Sequence, residues 1–439
     1  MGLENETRGL FLDLYELTMA NSYFLRDMND EATFAYFVRA PVPNRRFLIF
    51  AGLDPFLDAL AQFRFSNSDL AYLESLKLFD KAFLDYLADF EFTGDIWAME
   101  EGEVCFPGEP LVIVSAPRIQ AQLIETIVLN ILNYETLVAS KAARILIAAG
   151  EEAIVVDFSP RRDHGMEAAV HAARASYLTG FHGTSNTLAG KLYGIPVVGT
   201  MAHSYVLSFP DELSAFRAFA EDHPNPVLLI DTYDVAEGAR NAAIVARELR
   251  GKGRKLPAVR LDSGDLAALS QEVRRILDEE GCPEVEIFVS GDLDEQRILE
   301  FKRRGGVARG YGVGTRLGVS WDLPALGGVY KLVEDEKGPR MKRSPGKLTI
   351  PGKCQVWREG FTDTVALDEE FGKGRPLLRR VVRRGERVLP RLDLAQRREE
   401  VRERVYSLPP ELSDLTPCRD PRYPVRLSAT LEAMLKGAK

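Results

Sequence analysis

The chain has 439 residues, 46% hydrophobic and 28% charged, an ordinary globular composition with room for two or three domains. A formal charge of −9 argues against a general binder of nucleic acid or anionic membrane, because no cationic excess can neutralise a phosphate backbone. Small phosphorylated ligands remain open, since they need only local donors.

In chain order, Met1-Gly2-Leu3-Glu4-Asn5-Glu6 carries acids where a secretion signal has a basic region, and position 6 lacks the Ser or Thr of a myristoylation motif. A cytoplasmic protein is expected. Residues 11–90 read mainly as helix, with periodic apolar positions in Pro55–Leu60 and Phe83–Leu87. Between Phe92 and Pro117 the breakers Gly94, Gly102, Pro107, Gly108 and Pro110 point to short strands of a small β module. A long helix follows from about Arg118 to Ala149. Glu125, Asn130, Asn133, Glu135, Lys141 and Arg144 interrupt its most apolar stretch, which suits a buried amphipathic helix and not a membrane span.

From 154 to 317 a short apolar run ends six times in polar residues. Ile154–Phe158 leads into Ser159-Pro160-Arg161-Arg162, Val197–Thr200 into Met201-Ala202-His203-Ser204, and Val227–Ile230 into Asp231-Thr232-Tyr233-Asp234. Ala258–Leu261 leads into Asp262-Ser263-Gly264-Asp265, Glu286–Val289 into Ser290-Gly291-Asp292, and Tyr311 into Gly312-Val313-Gly314-Thr315-Arg316. Such runs at helix-length intervals predict parallel strands whose C-terminal ends share one face, so the six clusters converge. Gly180–Thr187 adds an irregular short strand, and Gly327–Val333 reads as the closing strand. The favoured fold is a closed or nearly closed α/β barrel, with a doubly wound sheet as runner-up. The expected domains are an α+β domain at 1–117, the barrel at 118–338, and a C-terminal segment at 339–439 packing on the first. Glu334 to Arg343 reads as a charged loop, followed by strands near Gln355–Trp357 and Val381-Val382 and a helix at Leu394–Tyr406.

The clusters suggest chemistry. Gly312-Val313-Gly314-Thr315 offers close backbone approach and a hydroxyl to a phosphate, and Gly291-Asp292 a second contact, although Gly-rich turns often only connect elements. Alternation puts Arg260 and Asp262 on one side of their strand, where they form either a structural ion pair or an anion grip with a carboxylate for sugar hydroxyls or hydrated Mg²⁺. His203 could act as base, metal ligand or phosphoryl acceptor. Metal binding is weakest, as no HxH, HxxxH or Cys partner accompanies it. Cys105, Cys282, Cys354 and Cys418 are too scattered for a CxxC site and fit a reducing compartment.

Taken in order, several segments closely resemble the nicotinate phosphoribosyltransferase family, of the type II phosphoribosyltransferase fold. They are Asp13–Met19, Asp157–Arg161, Gly183–Thr187, Gly199–Ser204, Arg260–Asp265, Gly312–Thr315, Thr349–Lys353 and Gln355–Arg358. The resemblance implies nicotinate mononucleotide and pyrophosphate formed from nicotinate and phosphoribosyl pyrophosphate, with ATP hydrolysis through phosphorylated His203, in NAD salvage. It implies nicotinate contacts from Tyr15, Thr200, Arg260 and Asn186, with stacking on Phe158. It implies phosphoribosyl contacts from Arg161, Asp262, Ser263, Gly291, Asp292, Gly314 and Thr315, with Arg260 and Asp262 also catalytic. Mg²⁺ would accompany the substrate phosphates, and a homodimer would share active sites, Tyr15 coming from the neighbour. The cysteine spacing does not support the zinc knuckle of some relatives.

Rivals differ in what they require. A quinolinate-using relative needs more cationic contacts, and a nicotinamide-using one carries Asp in the Gly183–Thr187 loop, where this chain has Ser185-Asn186. A phosphate-binding aldolase or isomerase barrel wants a strand-end Lys or Glu, which the clusters lack. A non-catalytic sensor is least expected while His203, Asp262 and Asp265 are present.

Overall fold

The computed structural model describes residues 5–342 and 349–437, and these form two compact units, 1–140 with 325–393 and 416–439, and 141–324 with 394–415. Positions 1–4 of the N-terminal reading, and Arg343 at the end of the expected loop, lie outside the described residues. These units divide the chain at other points than 117 and 338. The chain passes from one to the other within a helix, and the C-terminal segment is shared, 394–415 going to the second unit.

The first unit is built on a seven-stranded antiparallel sheet. Its strand order is Gly338–Pro339, Gly328–Asp335, Glu31–Val38, Pro110–Pro117, Asp95–Ala98, Arg379–Arg383 and Glu386–Arg387. Glu31–Val38 lies within the span expected to be mainly helical. Residues 32–36 are all buried, so this central strand shows no polar alternation, and only its Thr, Phe, Tyr and Val content marks it. Gly327–Val333 was expected to close the barrel, and it falls in the strand Gly328–Asp335. It pairs instead with Glu31–Val38, and Phe34 stacks on Tyr330 at 4.9 Å.

Among the described residues, four α-helices of the first unit precede the β module, the first being α1 (Leu14–Phe24). The long helix is broken at Ile124 into Arg118–Leu123 and α2 (Glu125–Ala149). Cys354–Glu359 and Thr362–Leu367 form a hairpin in a four-stranded sheet of the same unit.

The second unit carries six strands, β1 (Ile154–Asp157), β2 (Gly183–Thr184), β3 (Val227–Leu229), β4 (Ala258–Leu261), β5 (Glu286–Val289) and β6 (Gly310–Val313). Every pairing is parallel, in the order β2-β1-β6-β5-β4-β3, which gives a half-barrel. The barrel, expected to be closed or nearly closed, is open among the described residues, with β2 and β3 as its edges. Val197–Thr200 forms no strand, only an isolated bridge from Val197 to Thr184. The segment lies beside β2 through that bridge alone, because Pro196 and Gly199 leave the run too short to extend. Helix Leu394–Tyr406 belongs here, with Arg398 donating to the carbonyls of Phe181 (2.6 Å) and Gly180 (3.1 Å).

Candidate active site

Strand alternation sets the centre of the site. Arg260 and Asp262 leave the end of β4 on one side, and Arg260 Nη2 lies 2.6 Å from Asp262 Oδ1. The rest of the guanidinium fork is also engaged, Nη1 donating to Thr200 Oγ1 at 2.8 Å and Nε to Ser290 Oγ at 2.7 Å. The Ser290 hydroxyl in turn donates to Asp262 Oδ1 at 2.5 Å. Arg260 also lies over the Phe158 ring, 5.3 Å from its centroid. One cation thus fixes four side chains drawn from the ends of β1, β4 and β5 and from the 197–201 segment.

Burial pushes the Asp262 carboxyl up, but Arg260 and Ser290, with His203 beyond them, outweigh it and hold the group below the usual carboxylate range. Asp262 is therefore an anion near neutral pH. Asp231, after β3, accepts from the Asp262 backbone N–H (3.0 Å) and from the Ser263 hydroxyl (2.6 Å) through Oδ2. Its Oδ1 is buried without a hydrogen-bond partner. His203 opens a short helix and sets Nδ1 3.1 Å from Thr232 Oγ1.

At the other edge, Thr184 donates to Asp157 Oδ2 at 2.7 Å and accepts from the Asn186 N–H at 3.0 Å. Asn186 caps α3 (Thr187–Tyr193), its Oδ1 accepting from the N–H groups of Leu188 and Ala189, both at 3.1 Å. The cap assigns the amide: the oxygen is held and the NH₂ is left to donate. Arg161 is exposed, and among the described residues its guanidinium pairs with nothing. It follows β1, next to Gly314 and Thr315 after β6, since Val313 pairs with Asp157.

Not every expected group is free. Arg316 spans Asp292 through both carboxylate oxygens (3.1 and 3.2 Å) and Asp294 (3.0 Å), the structural alternative for a strand-end cation. Asp265 caps helix Leu266–Glu279 and pairs with Arg304. Tyr15 belongs to the first unit, on α1, and is 43% exposed. Ser290, Asp231 and Thr232 were not singled out. Their signal was present, since Ser290 and Asp231 each directly follow an apolar run that becomes a strand and Thr232 is the next residue.

Two glycines shape the cluster. Gly291 has φ +102°, and a Cβ there would lie 2.1 Å from the Asp262 carbonyl oxygen, so the turns after β4 and β5 approach this closely only because residue 291 is glycine. At Gly312 a Cβ would lie 2.5 Å from the Phe158 ring. Gly312→Ala is therefore expected to displace the Phe158 ring from beneath Arg260, which a crystal structure of the variant would show or refute.

A model of the nicotinate phosphoribosyltransferase N-terminal domain matches residues 10–133, and one of the nicotinate phosphoribosyltransferase family matches residues 154–323. The structure is similar to that of human nicotinic acid phosphoribosyltransferase, with TM-score 0.84 and 31% identity over 97% of this chain and 99% of that one. A nicotinate-nucleotide pyrophosphorylase of Pyrococcus furiosus gives TM-score 0.77 at 25% identity, over 93% of this chain and 98% of that one. Half-barrel, antiparallel sheet and strand-end cluster together define an enzyme of the type II phosphoribosyltransferase fold. In sequence, the chain is 45% identical to nicotinate phosphoribosyltransferase pncB2 of Mycobacterium tuberculosis over 94% of this chain and 90% of that protein. It is 42% identical to the Bacillus subtilis nicotinate phosphoribosyltransferase over 81% of this chain and 74% of that protein. It belongs to the nicotinate phosphoribosyltransferase family.

Proposed function

We propose that the protein joins nicotinate to phosphoribosyl pyrophosphate, giving nicotinate mononucleotide and pyrophosphate in NAD salvage, with ATP hydrolysis through a phosphorylated His203. The observation that carries this reading is the Arg260 cluster, a fixed cation beside a neutral hydroxyl and an aromatic ring, suited to an aromatic carboxylate. Thr200 and Arg260 would take the carboxylate, with Tyr15 a further contact, and the ring would stack on Phe158. Asp262, with Ser263, would hold ribose hydroxyls. Arg161, Gly291, Asp292, Gly314 and Thr315 would meet the phosphates.

Displacement at the ribose C1 passes through an oxocarbenium-like state, so the protein's task is to align the ring nitrogen and stabilise departing charge. Asp262, held as an anion, suits that state. Among the described residues no group of three or more His, Cys, Asp or Glu gathers to hold a metal. Mg²⁺ arriving with phosphates needs only one or two carboxylates, and the unpartnered Asp231 Oδ1 beside Asp262 fits that demand. When bound it would neutralise pyrophosphate charge. The reading includes a homodimer with shared sites, supported by the exposure of Tyr15, and a cytoplasmic location, supported by the unpaired thiols. No described helix is long and apolar enough to cross a membrane.

Purified protein with nicotinate, phosphoribosyl pyrophosphate, Mg²⁺ and ATP should yield nicotinate mononucleotide, and nicotinamide should substitute poorly. A wild-type preference for nicotinamide overturns the reading. Asn186 sharpens the test, because Asp caps a helix as well as Asn does but replaces the donor NH₂ by an acceptor. A charge-assisted bond contributes about 1.5–3 kcal/mol, so Asn186→Asp should cost nicotinate roughly tenfold or more in kcat/KM, and nicotinamide less.

A further inference from the structure

Asp157, which ends β1, is 0% exposed and takes no part in the contacts proposed above. Its two carboxylate oxygens serve two different loops. Oδ1 accepts from the Ser159 N–H at 2.8 Å, and Oδ2 from the Thr184 hydroxyl at 2.7 Å. Among the described residues no Lys, Arg or His pairs with it, so these bonds are what offsets its burial.

The first loop carries Arg161. Ser159-Pro160-Arg161-Arg162 is a turn closed by the Arg162 N–H on the Ser159 carbonyl at 2.7 Å, with proline in the position that favours the bend. The Ser159 hydroxyl donates to Asp163 Oδ2 at 2.9 Å, so Ser159 is held from both sides of the turn. The turn also lies against helix Thr315–Gly318, where a Cβ on Gly318 would come 1.7 Å from Asp163 Oδ1 and 2.8 Å from Ser159 Cβ. Arg161 is thus an exposed cation on a buried, pinned base.

The second loop carries Asn186. Thr184, also buried, accepts the Asn186 N–H on the same hydroxyl that it donates to Asp157. The Ser185 N–H between them bonds the Asp157 carbonyl at 2.8 Å. We infer that Asp157 is a positioning residue for both substrates: one buried carboxylate fixes the Arg161 turn through one oxygen and the Asn186 loop through the other. The cation for the phosphates and the donor that selects acid over amide then keep one spacing. This rests on the readings of Arg161 and Asn186 given above.

The readouts are the KM for phosphoribosyl pyrophosphate and the ratio of kcat/KM for nicotinate to that for nicotinamide, with thermal unfolding alongside. Stacking on Phe158 would be common to both pyridines and cancels in the ratio. Thr184→Val removes the donor to Oδ2 at nearly constant volume. It should lower the ratio roughly tenfold, a fraction of the roughly hundredfold cost of an ångström of misplacement, and move the phosphoribosyl pyrophosphate KM less than about twofold. Thr184→Ser should restore the ratio. Asp157→Ala should lower the ratio and raise that KM together. Asp157→Asn should recover both, because its oxygen can keep the Ser159 N–H while the Thr184 hydroxyl reverses to accept from its NH₂. The inference is overturned if Asp157→Ala folds and changes only one readout or neither. It is equally overturned, whether or not Asp157→Ala folds, if Thr184→Val lowers the unfolding temperature and leaves the ratio unmoved. Arg161→Ala with an unchanged phosphoribosyl pyrophosphate KM, or Asn186→Asp with an unchanged ratio, would instead remove the reading beneath the inference, and the inference with it.

Discussion

Arg260→Met is expected to lower kcat/KM for nicotinate a few hundred- to a few thousand-fold. Removing one member of a buried, hydrogen-bonded charge pair costs about 3–5 kcal/mol, most of it from the partner left behind. Here the side chains of Arg260 and Asp262 are 11% and 31% exposed, and the same guanidinium serves Thr200 and Ser290. Arg260→Lys should recover little, since one ammonium cannot reach three acceptors in the directions of a planar fork. The pH profile gives an independent check. Without Arg260, burial of Asp262 dominates, its carboxyl rises, and the acid limb of the rate profile should move to higher pH. An Arg260→Met variant with an unmoved acid limb and near-normal kcat/KM would show that the cation is structural.

His203→Ala should abolish transfer of acid-labile, base-stable label from γ-labelled ATP, and with it ATP hydrolysis, while circular dichroism stays that of the folded chain. A neutral imidazole is a competent nucleophile near pH 7. The structure places His203 with Nδ1 on the Thr232 hydroxyl, one residue from Asp231 and its unpartnered oxygen. Label retained in His203→Ala would reassign the phosphoryl acceptor.

Much of this site could be read in advance because parallel strands announce themselves: apolar runs ending in polar residues locate Arg260, Asp262, Gly291 and Gly314 without coordinates. Alternation put Arg260 and Asp262 on one side, and they bond at 2.6 Å. What escaped depended on partners distant in sequence. Ser290 matters because β5 lies beside β4, and Asp231 because β3 lies on its other side, neither of which periodicity reveals. Arg316 shows the converse, a strand-end cation whose neighbours Asp292 and Asp294 engage it. Glu31–Val38 escaped because a strand buried on both faces lacks the alternation that separates strand from helix in a short run. Gly327–Val333 was rightly read as a strand but wrongly placed as the one closing the barrel, for a topological reason: strand order is a property of pairing, not of spacing.

The cap on α3 has a consequence for how such an enzyme can change over generations. Two backbone N–H groups hold the Asn186 oxygen, and an Asp oxygen would satisfy them equally. Folding is therefore nearly indifferent to the single-atom exchange of NH₂ for O at this position, while a ligand carboxylate there would feel the full difference between donor and acceptor. A lineage could cross from acid to amide substrates here through folded intermediates, with stability offering no resistance to the change.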